Sequence, residues 1–195
     1  FTKLKAAMAK DGIQLAVVSA WRSFEHQARI WHAKCDGHRP VYNLQQDKVD
    51  ITQLTGLAKL AAIMLYSALP GASRHHWGTD LDIYDAAAVP PSYRPELLTA
   101  EYSAGGPFYK LSQWLERYAA DFNFFLPYQY YQGGIAAEPW HISYAPIAEP
   151  YQAALSQEVL NAVWQQHPIA ELTTIQQHLA QLFPRFITNI CESRV

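Results

Sequence analysis

The segment Ser73-Arg74-His75-His76-Trp77-Gly78-Thr79-Asp80-Leu81-Asp82-Ile83-Tyr84 joins a histidine-containing loop to a short run with the pattern of a β-strand. Side chains alternate between the two faces of a strand, so Asp80 and Asp82 point to the same side. A strand face with two acids makes a poor core and needs cations, a metal or water against it. Gly78 lets the loop that carries His75 fold back toward the strand. The segment therefore predicts a polar site where loop and strand meet.

A second segment, Glu138-Pro139-Trp140-His141, adds one histidine and one acid far downstream. Catalytic zinc typically takes three nitrogen or oxygen ligands from the protein and leaves one position for water. His75, Asp82 and His141 fill that set, and Glu138 is available beside it as a proton shuttle. An isolated His–Asp pair is more often a solvated surface feature than a metal site. With the second segment added, a metal site becomes the favoured interpretation.

Length and composition are those of one globular domain, alone or with a small appendage. The chain has 195 residues, of which 50% are hydrophobic and 16% are charged. A net charge of -2 offers no electrostatic basis for binding nucleic acid or an anionic membrane. No apolar run reaches the roughly 18–20 residues of a membrane span. Cys35 and Cys191 have no metal-type spacing, and whether they form a disulfide stays open.

Hydrophobic periodicity predicts strands and helices without strict βαβ alternation, which indicates an α+β fold with a small antiparallel sheet. The predicted strands span residues 15–18, 80–84 and 140–144. The predicted helices span residues 24–33, residues 52–69, a segment that begins at Pro107, and a helical tail from Tyr151 onward. The predicted irregular segments are a polar loop over residues 35–50 and a proline-rich surface loop, with the character of a lid, over residues 86–106.

These motifs resemble the zinc peptidase family named for lysostaphin, D-Ala-D-Ala metallopeptidases and the hedgehog signalling domain. The resemblance rests on Ser73-x-His75-x-x-Gly78-x-x-x-Asp82 followed by Glu138-x-x-His141. The match is closer to the VanY-type D-alanyl-D-alanine carboxypeptidase branch. That branch has a strand ending in a Ser-x-Tyr/Trp-Arg-Ser stretch with a Gln soon after, as in Ser19-Ala20-Trp21-Arg22-Ser23 and Gln27. The resemblance covers roughly residues 15–144.

The resemblance implies a role for each residue of the metal motif and for one arginine. His75, Asp82 and His141 would bind zinc. Glu138 would act as general base and then general acid, which fits the proton transfers of hydrolysis. Arg22 would stabilise the oxyanion, since a fixed guanidinium near the developing charge favours the transition state.

Five further positions have less sharply defined roles. The resemblance implies that Ser73 and Gln27 help hold the substrate, and Trp140 can line a peptide groove or pack in the core. The family usually has a small residue at the position of Asp80. We expect Asp80 to orient a histidine, shift the metal preference or pair with a nearby arginine. His76 adjoins His75 but is expected to make local hydrogen bonds instead of binding the metal.

The resemblance implies a zinc-dependent D,D-carboxypeptidase that hydrolyses the terminal D-Ala-D-Ala bond of peptidoglycan stem peptides. An L,D-carboxypeptidase or an endopeptidase with the same centre is an alternative, as is a binding module that retains zinc without turnover. The expected domains are a zinc peptidase domain over residues 1–150 and a helical extension over residues 151–195 that packs on the core. The substrate class implies the cell envelope, periplasmic or extracytoplasmic. The sequence contains no recognisable signal peptide. Because it begins at Phe1 rather than Met, we expect that an upstream segment was removed or not included.

Overall fold

A four-stranded antiparallel sheet organises the fold in the computed structural model, which describes residues 1–193. The strands are β1 (Leu15–Ser19), β2 (Val41–Tyr42), β3 (Lys48–Val49), β4 (Asp80–Asp85), β5 (Phe124–Phe125) and β6 (His141–Tyr144). The main sheet has the order β1-β4-β6-β5, and β2 pairs with β3 in a separate hairpin. The predicted α+β class with a small antiparallel sheet is therefore confirmed.

Eight α-helices pack around this sheet, and three of them follow its last strand in the described part of the chain. They are α1 (Thr2–Lys10), α2 (Phe24–Cys35), α3 (Gly56–Met64), α4 (Thr99–Tyr102), α5 (Tyr109–Tyr118), α6 (Ala145–Ala154), α7 (Gln157–Gln166) and α8 (Leu172–Leu182). Ser23 caps α2, because its hydroxyl accepts a hydrogen bond from the backbone N–H of His26. Within the described residues, the helices are too short or too polar to span a bilayer.

The register between β4 and β6 sorts polar and apolar side chains onto opposite faces of the sheet. Asp80 lies opposite Ser143, and Asp82 lies opposite His141. Directly opposite residues share a face, so these four polar side chains form one patch. The intervening residues of both strands face the other way, where Ile83 and Ile142 are fully buried. One face of the sheet thus presents the polar candidate site residues, and the other face packs in the hydrophobic core.

Two hydrophobic clusters stabilise the two sides of the molecule. The cluster on the apolar face of the sheet contains residues of α1 and α5, among them Leu4, Met8, Leu111 and Leu115. The second cluster joins α2 and α3 to α7 and α8. The helices after residue 150 therefore share a core with the helices that precede β4.

Specific hydrogen bonds attach this C-terminal segment to the rest of the protein. The indole of Trp164 on α7 donates to the carbonyl of Pro70, and that of Trp31 on α2 donates to the carbonyl of Ala170. Helix α6 runs across the boundary that we expected at residue 150. The last two residues of the expected extension, 194 and 195, lie outside the described residues.

Three sequence-based element boundaries are wrong. The helix predicted over residues 52–69 is a short 3-10 turn (Ile51–Gln53) followed by α3, which ends at Met64. It ends early because the carbonyl of Leu65 accepts a hydrogen bond from the backbone N–H of Ala136 instead of continuing the helix. The predicted polar loop over residues 35–50 contains the β2–β3 hairpin, and α5 begins two residues after Pro107.

The segment over residues 86–106 is also more ordered than a surface loop. Its end forms α4, where Glu101 and Tyr102 are buried. The Tyr102 hydroxyl donates to the carbonyl of Ile83 in β4. The Glu101 carboxylate accepts hydrogen bonds from the Tyr93 hydroxyl and the Leu98 backbone N–H. This segment is therefore attached to the underside of the sheet and does not hang free.

Replacing Trp164 with alanine tests whether the C-terminal helices are part of the core. We expect the free energy of unfolding to fall by about 3–5 kcal/mol, because a fully buried indole and its hydrogen bond are lost. Val159→Ala on the same helix is the control, since this side chain is 46% exposed and should change stability by roughly 0.5 kcal/mol. Urea unfolding measures both, and a Trp164→Ala protein as stable as the control would show that the segment packs elsewhere.

Candidate active site

Three buried side chains converge at the polar face of the sheet. The Nε2 atom of His75 lies 3.3 Å from Oδ2 of Asp82, and Nδ1 of His141 lies 3.4 Å from Oδ1 of Asp82. Their ligand atoms all lie within 4.8 Å of one another. Ligands held about 2 Å from a tetrahedral ion are roughly 3.3 Å apart, so this spacing suits a single metal ion.

The hydrogen bonding of Asp82 supports a cation at this point. Its Oδ1 atom is buried and finds no hydrogen-bond donor among residues 1–193. A buried carboxylate oxygen without a partner is costly, on the order of 1–3 kcal/mol or more. A cation between Asp82 and the two imidazoles satisfies that oxygen, and the donor set of two histidines and one carboxylate is one that zinc accepts. The residues present fit a divalent metal.

Each of the two histidines has its other ring nitrogen held by a fixed acceptor. The Nδ1 atom of His75 lies 2.9 Å from the carbonyl of Ala20, and Nε2 of His141 lies 2.8 Å from Oδ2 of Asp80. A proton held on those nitrogens leaves His75 Nε2 and His141 Nδ1 with lone pairs facing Asp82. The tautomers that the surroundings favour are therefore the ones that metal binding requires.

Electrostatics around His141 favour positive charge. Burial by itself lowers the pKa of its imidazole, but hydrogen bonds with the carboxylates of Asp80 and Glu138 outweigh burial and raise the pKa to about 10. A metal bound at Nδ1 supplies the same positive charge that the proton otherwise provides. The site is thus prepared for a cation at this nitrogen.

Asp80 is the centre of the hydrogen-bond network behind the ligands. Its Oδ1 accepts from the hydroxyls of Thr79 and Ser143, at 2.7 and 2.8 Å. Its Oδ2 accepts from Nε of Arg74 at 2.7 Å and contacts His141. Burial would raise the pKa of Asp80, but the Arg74 guanidinium and these hydrogen bonds hold it well below its usual value. Asp80 both orients a histidine and pairs with an arginine, two of the roles that the sequence left open.

Glu138 reaches the same site from the turn before β6. Its Oε2 lies 3.2 Å from His141 Nδ1, and the turn is closed by a hydrogen bond from the His141 N–H to the Glu138 carbonyl. In a regular strand these two residues would face opposite sides, but β6 begins only at His141. Pro139 prevents a regular ladder before that point, so Glu138 can approach the metal ligands.

Arg22 is held at the edge of the site by two side chains. One terminal nitrogen donates to Oε1 of Gln27 and the other donates to the hydroxyl of Ser19, both at 2.8 Å. Gln27 is 1% exposed, and its amide nitrogen donates to the carbonyl of Ala68. Gln27 therefore lies behind Arg22, with both ends of its amide engaged by the protein.

A cavity of about 420 Å³ opens in front of these residues. Ser73 and Trp140 line it together with the three candidate ligands, Glu138 and Arg22. The Ser73 side chain does not cap the 3-10 turn Arg74–Trp77 that follows it. Trp140 lines the cavity and also packs in the hydrophobic core, where its ring contacts that of Tyr102 at a centroid distance of 5.5 Å.

His76 is excluded from the ligand set by its hydrogen bonds. Its Nδ1 lies 2.6 Å from the carbonyl of Arg22, and its Nε2 accepts from the backbone N–H of Gly71. Both ring nitrogens are therefore used inside the protein. This leaves His75 as the histidine of this loop that faces Asp82.

Several residues that line the cavity were not predicted from the sequence. Lys34 and Arg39 line the cavity, as does Tyr128, whose ring packs edge-on against His141. Lys34 follows Gln27 by two helical turns on α2, so its position on the same helix face could have been inferred. Arg39 and Tyr128 reach the cavity only through tertiary packing, for which the sequence carries no local signal.

Both the sequence and the fold of this chain are similar to those of known proteins. A family model described as D-alanyl-D-alanine carboxypeptidase, VanY, matches residues 1–147. An uncharacterized protein of Haemophilus influenzae is 38% identical over 121 residues, which are 61% of this chain and 92% of that protein. Two solved structures share the fold. One is VanYB in complex with D-alanine-D-alanine, with 22% identity, a TM-score of 0.52, and coverage of 82% of this chain and 77% of that chain. The other is a variant of the vancomycin resistance D,D-pentapeptidase VanY in complex with Zn(II), with 23% identity, a TM-score of 0.51, and coverage of 82% and 78%.

Asp80→Asn tests whether this acid supports the metal ligands. We expect metal affinity to fall by roughly 10–100-fold, because the amide no longer carries the charge that orients and polarises His141. Asp85→Asn is the matched control, since this buried acid at the far end of β4 accepts hydrogen bonds from the backbone of Gln14 and Ala87. Competition with a chelator of known affinity measures both. Equal metal affinity in the two variants would show that Asp80 does not support the metal ligands.

Proposed function

Because the chain belongs to the VanY family of D-alanyl-D-alanine carboxypeptidases, we propose that it is a zinc-dependent D,D-carboxypeptidase. Its substrate would be the terminal D-Ala-D-Ala bond of peptidoglycan stem peptides, which puts its action in the cell envelope. The observation that carries the proposal is the convergence of His75, Asp82 and His141 on one point of a cavity. Glu138 lies beside them without being needed as a ligand.

His75 Nε2, Asp82 and His141 Nδ1 would hold the zinc. When bound at such a site, zinc lowers the pKa of a bound water to about 7 and polarises a carbonyl. The residues around the ligands keep them in the required state. Asp80 and the Ala20 carbonyl hold the two imidazoles in the binding tautomers, so the ligands are organised before any substrate arrives.

Glu138 would move the proton in the reaction. Its carboxylate borders the cavity and lies next to the candidate ligands, where it can accept a proton from the attacking water. The same carboxyl group can then deliver that proton to the departing amine of the terminal residue. A protein that only bound peptide would have no use for a carboxylate at this place.

Arg22 would stabilise negative charge on the scissile carbonyl oxygen. Its guanidinium is fixed by Ser19 and Gln27, so little reorganisation is needed when charge develops. Burial lowers the pKa of Arg22, while attraction to Asp82 and Glu138 opposes that shift. Arginine keeps its charge in proteins. Gln27, which we expected to hold substrate, is better suited to positioning Arg22.

Ser73 and Trp140 would border the bound peptide. Ser73 brings a hydroxyl to the cavity wall from the residue two positions before His75, and Trp140 contributes an aromatic edge. An L,D-carboxypeptidase or an endopeptidase can use the same arrangement. Mass spectrometry of the products from pentapeptide, tetrapeptide and cross-linked muropeptides separates these activities. Release of D-alanine from the pentapeptide is the expected result, and release only from the tetrapeptide would overturn it.

Glu138→Gln tests the proton shuttle. We expect kcat to fall by at least 10²–10⁴-fold, because an amide cannot accept the proton, while zinc stays bound at full stoichiometry. Glu158→Gln, an acid on the surface of α7, serves as control and should leave kcat unchanged. Metal analysis and D-alanine release are measured on the same samples. Full activity in the Glu138 variant would assign the proton transfer to another residue.

Arg22→Lys tests the oxyanion assignment. Lysine keeps the charge but cannot bond to Ser19 and Gln27 at once, so we expect kcat to fall by roughly 10²–10³-fold with a smaller change in KM. Steady-state kinetics on the pentapeptide give both constants. A change confined to KM would show that Arg22 binds the ground state of the substrate and not the transition state.

A further inference from the structure

The cavity contains a second charged region that the proposed mechanism does not use. Lys34, near the end of α2, and Arg39, in the loop after it, line the wall next to Arg22. Lys34 lies on the same face of α2 as Gln27 and Ile30, about 10 Å along the helix axis from Gln27. Arg22, Lys34 and Arg39 thus bring three positive charges to one cavity, close enough for Arg39 to lower the pKa values of the other two.

Neither cation forms an ion pair with the described residues, although the charge of Glu138 is near enough to act on the pKa of Lys34. Among residues 1–193, no carboxylate lies within 4.0 Å of the Lys34 ammonium or the Arg39 guanidinium. Burial, followed by repulsion from Arg39, lowers the pKa of Lys34 to about 8. Glu96 also lines the cavity, but it is exposed and pairs with neither. The region has more positive charge than its own acids neutralise.

Other residues that line the same cavity are Tyr42 and Gln46 of the β2–β3 hairpin and residues 96–98. The Gln46 amide donates to the Thr99 hydroxyl, which joins the hairpin to that segment. Leu97 has a φ of 58°, a conformation that a leucine adopts only when its surroundings impose it. The two chain segments that line this part of the cavity are thus joined to each other by a hydrogen bond.

We propose that Lys34 and Arg39 form a carboxylate-binding subsite, which receives a free carboxylate of the peptide substrate. The proposal rests on the peptidase function argued above. Both cations lack an anionic partner among the described residues, and Lys34 is half-buried whereas Arg39 is exposed. A ligand that brings its own negative charge therefore gains most at Lys34, where less water competes for the ammonium. Two groups on a stem peptide have this chemistry: the C-terminal carboxylate, and the side-chain carboxylate of a diamino dicarboxylic acid upstream of the scissile bond.

Binding to the zinc-loaded Glu138→Gln protein tests the subsite without turnover. The probes are two pairs of peptides ending in D-Ala-D-Ala. The first pair differs only in a C-terminal acid or amide, and the second has diaminopimelate or lysine as the upstream diamino acid. Lys34→Gln and Arg39→Gln are introduced separately, and Arg29→Gln on the exposed side of α2 is the control with the same loss of charge. Isothermal titration calorimetry gives the dissociation constants.

We expect each substitution to weaken binding of a carboxylate-bearing probe by about 10–100-fold while leaving its carboxylate-free partner unchanged. If a substitution reduces the difference in affinity between the C-terminal acid and the amide, the subsite binds the C-terminal carboxylate. If it reduces the difference between the diaminopimelate and the lysine peptide, the subsite binds the side-chain carboxylate. Lys34→Arg should keep the preference. Because Arg39 is exposed, its variant gives a folded protein even if Lys34→Gln does not.

Equal weakening of both members of each pair, or no weakening at all, would overturn the subsite. Failure of the proposed function has a different signature. In that case the wild-type, zinc-loaded protein releases no product from any of these peptides, while the charge-dependent difference in binding persists.

Discussion

The pairing of β4 with β6 is the constraint on which the site depends. It sets Asp80 against Ser143 and Asp82 against His141, so that two acids, a histidine and a serine share one face. The other face keeps its apolar residues in the core beneath the sheet. A shift of one residue in this register would bury the acids among aliphatic side chains and turn the apolar residues toward the cavity. The pairing that builds the sheet therefore also brings together Asp82 and His141, two of the three candidate ligands.

Burying two carboxylates on one strand requires compensation, and Arg74 provides it. Its Nε bonds to Asp80, one terminal nitrogen bonds to Ser143, and its guanidinium lies 4.7 Å from the centroid of the Trp77 ring. Removing one partner of such a buried pair leaves an uncompensated charge, which typically costs about 3–5 kcal/mol. Arg74 comes from the loop that also carries His75. The loop and the sheet are thereby tied together, and His75 is brought to Asp82.

Three of the four strands of the main sheet, β1, β4 and β6, and its polar face were predictable because their signal is local. Alternation of acidic and apolar residues over Asp80–Asp85 is visible in the sequence, and the family resemblance from these motifs is confirmed by the family match. The position of Gln27 behind Arg22 was not predictable, because it depends on a hydrogen bond to Ala68 more than one element away. The early end of α3 likewise depends on Ala136. Contacts between distant segments leave no periodic trace in the sequence, so the places of Arg39 and Tyr128 in the cavity became evident only in three dimensions.

We propose that His75, Asp82 and His141 together hold one metal ion. Anomalous diffraction at the zinc edge, from crystals of the zinc-loaded protein, would locate that ion. We expect one strong peak within about 2.0–2.2 Å of His75 Nε2, His141 Nδ1 and a carboxylate oxygen of Asp82, with Asp80 outside the coordination sphere. A peak coordinated by His76 or Asp80, or no peak between β4 and β6, would contradict it.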